Sequence, residues 1–151
     1  MTPVIGADQR ILGYLGRALS LELSAVQNYS TQARLAETWG LTEAARRLKT
    51  EAAEELGHVE RIIGRMLALG AAPNASMLRP AGVGASLREL LAFDHAFEND
   101  LIALYTDASA YAARAGDADN RMFFEGLLAE EQAHARELQA WMAELDVGAV
   151  V

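Results

Sequence analysis

Two histidines in this sequence stand three places after a glutamate, as Glu55-Leu56-Gly57-His58 and Glu131-Gln132-Ala133-His134. Three residues are close to one turn of α-helix, so each pair presents a carboxylate and an imidazole on one helical face. Carboxylate oxygens with few imidazole nitrogens suit iron or manganese, and zinc competes for such donors. Two further glutamates sit among apolar residues at helical spacing, Glu22 between Leu19 and Val26, and Glu98 between Leu91 and Leu101. Burying four carboxylates together costs several kcal/mol each without compensation. Two divalent cations balance that charge, and two neutral imidazoles complete a six-ligand set without disturbing it. On this reading Glu55 and Glu131 bridge the metals, while Glu22 with His58, and Glu98 with His134, are terminal ligands.

Long helices must position these residues. The first runs from about Asp8 to Glu37 with Leu12, Leu15, Leu19, Val26, Tyr29 and Ala33 recurring at steps of three and four. Thr38, Trp39 and Gly40 interrupt it. Thr42 is the expected N-cap of a second helix lasting to about Leu69, with Leu48, Glu55, His58, Ile62 and Met66 on one face, and Gly70 and Pro73 end it. Residues 71–85, with Pro73, Pro80, Gly82 and Gly84, form a connection long enough to run along the side of a bundle. Ser86 opens a third helix to about Ala115, with Glu89 completing a capping box and Leu87, Leu91, Asp94, Glu98, Leu101 and Tyr105 on one stripe. After Gly116-Asp117 a fourth helix continues to about Asp146, its stripe reading Phe124, Leu127, Glu131, His134, Leu138, Trp141 and Leu145. Four rods of roughly 40 Å, each with an apolar stripe, pack most economically as a bundle. The predicted fold is all-α: one domain over residues 1–151, a four-helix bundle with a long connection between helices two and three. Beyond the shared Glu-x-x-His motif no internal repeat is evident.

The bulk properties narrow the function classes. A formal charge of -8 on 151 residues argues against nucleic acid as a partner and favours attraction of cations. The absence of cysteine removes thiolate ligands and cysteine nucleophiles. Met1 to Arg10 lack a basic region followed by an apolar run, and no segment approaches the ~18 apolar residues of a membrane span, so a cytoplasmic protein without membrane contact is expected. Other polar residues have simpler readings. His95 suits a surface or subunit contact, and Asp94, one turn before Glu98, is placed to hydrogen-bond a ligand. Glu51 and Glu54 read as a solvated charge run, with Glu54 as a candidate iron guide, and Glu130 turns to another face. Tyr29, two turns after Glu22, is placed either to hydrogen-bond or donate an electron near the metals, or simply to pack. Trp39 and Trp141 read as packing or interface residues.

These residues together resemble the bacterioferritins, over nearly the whole chain. The likeness lies in Leu-Glu-Leu-Ser-Ala-Val-Gln-Asn-Tyr around Glu22, the Trp39-Gly40-Leu41 break, Glu54-Glu55-Leu56-Gly57-His58, the Gly70 to Asn74 turn, Asp94 through Glu98, and Glu130-Glu131-Gln132-Ala133-His134. The resemblance implies a ferritin-like bundle, and a di-iron centre at Glu22, Glu55, His58, Glu98, Glu131 and His134. These six would be both the metal ligands and the catalytic residues of a ferroxidase oxidising Fe(II) with O2 or H2O2. It also implies ferric mineral stored in a hollow homo-oligomer of 24 subunits, with a 12-subunit shell as the alternative. Three departures qualify it. Leu56 stands where the family supplies an axial methionine to haem, which points to a haem-free shell. Thr50 and Glu54 stand where some members place an inner-surface histidine and aspartate. Residues 147–151 are too few for the family's short fifth helix. Competing readings are a di-iron or di-manganese oxidase or peroxidase without storage, and a structural bundle subunit with an inactive metal site.

Overall fold

The computed structural model describes residues 8–75 and 77–150; most of the stretch scanned for a leader, and Val151, lie outside them. Four helices follow in order: α1 (Gln9–Thr38), α2 (Thr42–Ala68), α3 (Leu87–Arg114) and α4 (Ala118–Val150), and no strand occurs among the described residues. Two compact units divide the chain, Met1–Ala81 and Gly82–Val151. Each contains one helical hairpin, α1 packed on α2 in the first and α3 on α4 in the second.

Local chemistry sets the helix ends. Asp8 caps α1, its Oδ1 accepting from the backbone N–H of Arg10 at 2.8 Å and of Ile11 at 3.3 Å. Ser86 caps α3 by accepting from the N–H of Glu89 at 3.2 Å, and the Glu89 carboxylate reaches back one residue further than a standard capping box, to the N–H of Ala85 at 2.7 Å. The expected cap at Thr42 is corrected. Thr42 is the first helical residue, Leu41 holds the cap position, and no side chain bonds there. The preceding turn is so tight that Leu41 already donates its N–H to Ala36 O at 2.9 Å, which leaves no extended residue between the helices for a polar cap. Helix α4 also continues to Val150, beyond the expected end near Asp146, because no glycine-led stop signal intervenes before Gly148, which itself stays helical.

Both hairpin turns use the same device. Gly40 and Gly116 take left-handed backbone angles, φ 76° and 70°, which a side chain would oppose. The residue after each donates to the carbonyl five residues before it, Leu41 to Ala36 O and Asp117 to Ala112 O, both at 2.9 Å, so the last turn keeps its carbonyls satisfied.

The buried stripes match the expected periodicity with small shifts in phase. In α1, Ile11, Leu15, Ala18, Leu19, Ala25, Tyr29 and Ala33 are buried, whereas Leu12 and Val26 lie only half-buried beside the stripe. In α4, Phe124, Leu127, Leu138 and Trp141 are buried and Leu145 is half-exposed as the stripe runs out. Each fully buried Leu or Phe contributes roughly 1.5–3 kcal/mol.

The long connection is tied down at two points in its second half. Arg79 donates its N–H to Ser24 Oγ at 2.8 Å, so the segment passes the middle of α1. That agrees with a link running along a helix side. Gly82 lies so close to Phe93 that an added Cβ would stand 2.1 Å from Phe93 Cδ1. Replacing Gly82 by Ala should therefore destabilise the chain by about 1–3 kcal/mol, since the Phe93 ring must move. Gly64→Ala, within α2 with nothing inside 4 Å of the new methyl, should be neutral or stabilise by about 0.5–1 kcal/mol. Urea unfolding midpoints of the two variants check this contrast.

Candidate metal centre

The same three side chains gather inside each hairpin. In the first, α1 supplies Glu22 and α2 supplies Glu55 and His58. His58 Nδ1 faces Glu22 Oε1 at 3.3 Å and Glu55 Oε2 at 3.6 Å. In the second, α3 supplies Glu98 and α4 supplies Glu131 and His134. His134 Nδ1 faces Glu131 Oε2 at 3.4 Å and Glu98 Oε1 at 3.9 Å. Within each set the three donor atoms lie within 4.8 Å of one another, close enough to share one cation. The four glutamates are fully buried, and the histidines are 4% and 7% exposed.

The two sets are related by a constant register along the chain. Glu22 and Glu98, Glu55 and Glu131, and His58 and His134 are each 76 residues apart. The same step relates Gly40 to Gly116, Leu15 to Leu91 and Tyr29 to Tyr105. An internal repeat is thus present after all. It escapes notice in the sequence because many buried apolar types are exchanged along it, Leu48 for Phe124, Ala25 for Leu101 and Ile62 for Leu138, while the Glu, Glu, His set and the turn glycine are kept. Comparing the intervals between ligands, 33 from Glu22 to Glu55 and 33 from Glu98 to Glu131, would have revealed it.

Burial makes these groups costly. It pushes the Glu22 carboxyl up to about 8, with the neighbouring Glu55 charge adding to the rise and His58 opposing it. Two carboxylates and one neutral imidazole carry the charge that one divalent cation neutralises, and hard oxygen donors with a single nitrogen suit iron or manganese. The donor chemistry of each set therefore fits a metal.

The remaining singled-out residues separate cleanly. Asp94 is fully buried one turn before Glu98, His95 is half-buried, Glu51 is half-exposed, and Glu54 and Glu130 are exposed. Trp141 is buried in α4 and Trp39 is half-buried at the first hairpin turn. Leu56 is 45% exposed on α2. No helix among the described residues is long and apolar enough to cross a membrane.

With Glu22 raised to about 8 from the ordinary 4.5, its favourable contribution to the metal-free fold is complete below about pH 4.5 and lost as pH rises through 8. Glu22→Gln removes that loss. In chelator-treated protein this variant should melt several degrees above the parent at pH 8 and within a degree or so of it at pH 5, as followed by circular dichroism.

Comparison with known proteins agrees with this geometry. A family model described as a ferritin-like domain matches residues 12–147. A bacterioferritin from Rhodobacter capsulatus is 37% identical over 139 residues, covering 92% of this chain and 86% of its own, and one from Brucella melitensis is 32% identical over 127 residues, covering 84% and 79%. The solved R. capsulatus protein, described with a metal-free dinuclear site and haem iron in a crystallographic special position, superposes with a TM-score of 0.89 at 36% identity over 97% of this chain and 89% of its own. Mycobacterium tuberculosis bacterioferritin BfrA gives 0.88 at 27% identity over the same shares. The fold is accordingly the ferritin-like four-helix bundle with its long connection between α2 and α3, and the chain belongs to the ferritin-like family as a bacterioferritin.

Proposed function

We propose that this chain is a ferroxidase of the bacterioferritin type, oxidising Fe(II) with O2 or H2O2 and storing the ferric product as mineral within a shell of identical chains. The observation that carries this reading is the buried Glu, Glu, His set present once in each hairpin, on a chain 37% identical to a bacterioferritin over 139 residues. The two hairpins are taken as a single ferritin-like domain, supported by one family model spanning residues 12–147. On this reading Glu22, Glu55, His58, Glu98, Glu131 and His134 hold two Fe(II) substrate ions, a reading supported by the dinuclear site named for the R. capsulatus relative.

Their roles follow from charge. Four carboxylates compensate two Fe(II) ions, and each ion gains a positive charge on oxidation. Hard anionic oxygens bind the resulting Fe(III) more strongly than Fe(II), so the ligand set favours loss of an electron. Neutral histidines orient the ions without adding charge, and burial keeps water from competing for the ligand positions. With O2 as oxidant, two Fe(II) yield two electrons and reduce it to H2O2 with two protons.

Haem does not fit the position where the family resemblance would place its axial ligand. Leu56 is hydrocarbon and offers no lone pair to iron, and the nearest thioether in its helix, Met66, is 5% exposed in the core. The shell proposed here is haem-free, with 24 subunits as in the family resemblance.

Glu55→Gln or His134→Ala should slow the rapid phase of aerobic Fe(II) oxidation by at least about tenfold, and light scattering on the parent should find the added iron retained in a large shell. An unchanged rapid phase in both variants would exclude this centre. Leu56→Met should acquire a haem Soret band on addition of haemin, while the parent stays without one; equal haem uptake by both would refute the haem-free reading.

A further inference from the structure

Along the 76-residue register the two ligand sets match residue for residue, but their surroundings do not. One turn before Glu98 on α3 stands Asp94, and one turn before Glu22 on α1 stands its counterpart Ala18. Both positions are 0% exposed. The second hairpin therefore encloses a carboxylate where the first encloses a methyl group. Among the described residues, Asp94 is the one fully buried acid outside the six ligands. The nearest equivalent in the first hairpin, Glu51 one turn before Glu55, is half-exposed, and its own counterpart is Leu127.

Helix geometry keeps Asp94 beside the second set. Four residues are about 6 Å of rise and about 40° of rotation, so Asp94 and Glu98 share a face of α3. Contacts at two places fix the alignment of α3 with α4. Near the turn the Tyr105 ring lies 6.5 Å from the Phe124 ring, and at the other end Arg88 Nη1 donates to Met142 Sδ at 3.0 Å. Eleven residues before Tyr105 is Asp94, and eleven after Phe124 is Ala135, so Asp94 lies level with the residue next to His134. Glu98, Glu131 and His134 gather their donor atoms within 4.8 Å, and Asp94 is not among the donors that join them. Any effect it has on an ion held there acts through space.

That effect is large because water is excluded. A buried charge is screened far less than an exposed one. At roughly 6–8 Å and an effective dielectric constant of about 20, one carboxylate raises the affinity for a divalent ion by well over tenfold. Water reaches Glu51 and screens its charge, so the first set gains less from it.

On the six-ligand reading of the centre, we propose that Asp94 sets the order in which the two Fe(II) bind. The α3 and α4 set, with a third buried carboxylate beside it, takes the first ion, and the α1 and α2 set takes the second. Asp94 is a positioning residue, acting through the field it adds at Glu98, Glu131 and His134. Because two Fe(II) are needed to reduce O2 to H2O2, the weaker set decides at what iron concentration the centre reacts.

Calorimetric titration of metal-free protein with Co(II), its absorption band followed in parallel, tests this. The parent should bind two Co(II) per chain in two steps that differ at least about tenfold in Kd. Glu22→Gln should leave the tighter step and Glu98→Gln the weaker. Asp94→Asn keeps the shape and removes the charge; it should weaken the tighter step by about tenfold or more and change the weaker by less than about twofold. Asp94→Glu should restore the separation. Equal Kd for the ion remaining in Glu22→Gln and in Glu98→Gln would overturn the proposal, as would equal weakening of both steps by Asp94→Asn, the result of a merely structural role. Should Asp94→Asn not fold, the comparison of Glu22→Gln with Glu98→Gln decides. A parent that binds fewer than two Co(II) would overturn the six-ligand reading itself. Two unequal steps in a parent that oxidises Fe(II) no faster than buffer would overturn the ferroxidase reading and leave the order of filling standing.

Discussion

Carboxylates withdrawn from water are tolerable only against a compensating charge or hydrogen bonds, and Glu22, Glu55, Glu98 and Glu131, with Asp94 beside Glu98 on α3, are all fully buried. Glu22 registers the strain most directly, its carboxyl pushed up to about 8 by burial and by Glu55. The rest of the structure answers that cost. Each hairpin surrounds its Glu, Glu, His set with uninterrupted helix, so no backbone polar group competes for the same space, and with leucine, phenylalanine and alanine above and below. A cation binding there would displace the proton that burial favours on Glu22, so metal binding and stability are coupled through the same residues.

The 76-residue register shows which features this architecture keeps under duplication. The left-handed glycine at each hairpin turn, the two carboxylates, the imidazole and the buried phenol recur, whereas many apolar neighbours, such as Leu48 and Phe124, are exchanged for others of different shape. Apolar packing can be met by many combinations of similar total volume. A ligand set cannot, because its donors must lie within a few ångströms of a common point. The segment joining the hairpins has no counterpart, and its fixed points are particular: the Arg79 N–H on Ser24 and the Gly82 backbone under the Phe93 ring.

The functional reading combines a site that stands on its own residues with a family that supplies its context. Hard donors and charge balance argue for iron in both hairpins, and the bacterioferritin relationship argues for oxidation followed by storage. Leu56, on which the proposed haem-free reading rests, lies apart from the ligands, 45% exposed on the same helix. Adjacent residues of one helix thereby serve unrelated tasks: Glu55 faces the core and Leu56 the exterior, as a step of 100° per residue requires.

Much was legible in the sequence because helices report burial through periodicity. Glu22, Glu55, His58, Glu98, Glu131 and His134 all fell on apolar stripes at steps of three and four, and all six are buried, since a polar residue inside such a stripe has nowhere else to point. Helix number and the glycine breaks at Gly40, Gly70 and Gly116 were readable for the same local reason. Phase errors of one residue, as at Leu12 and Val26, and the missing cap at Thr42 arose where neighbouring helices and a tight turn, rather than propensity, decide exposure. The pairing of Glu22 with His58 and of Glu98 with His134 was also readable, but tertiary structure alone decided how near they come: His58 meets Glu22 at 3.3 Å from 36 residues away, and His134 stands 3.9 Å from Glu98 across the same interval. Periodicity fixes a face, but only the packing of one helix against the next fixes the distance between two faces.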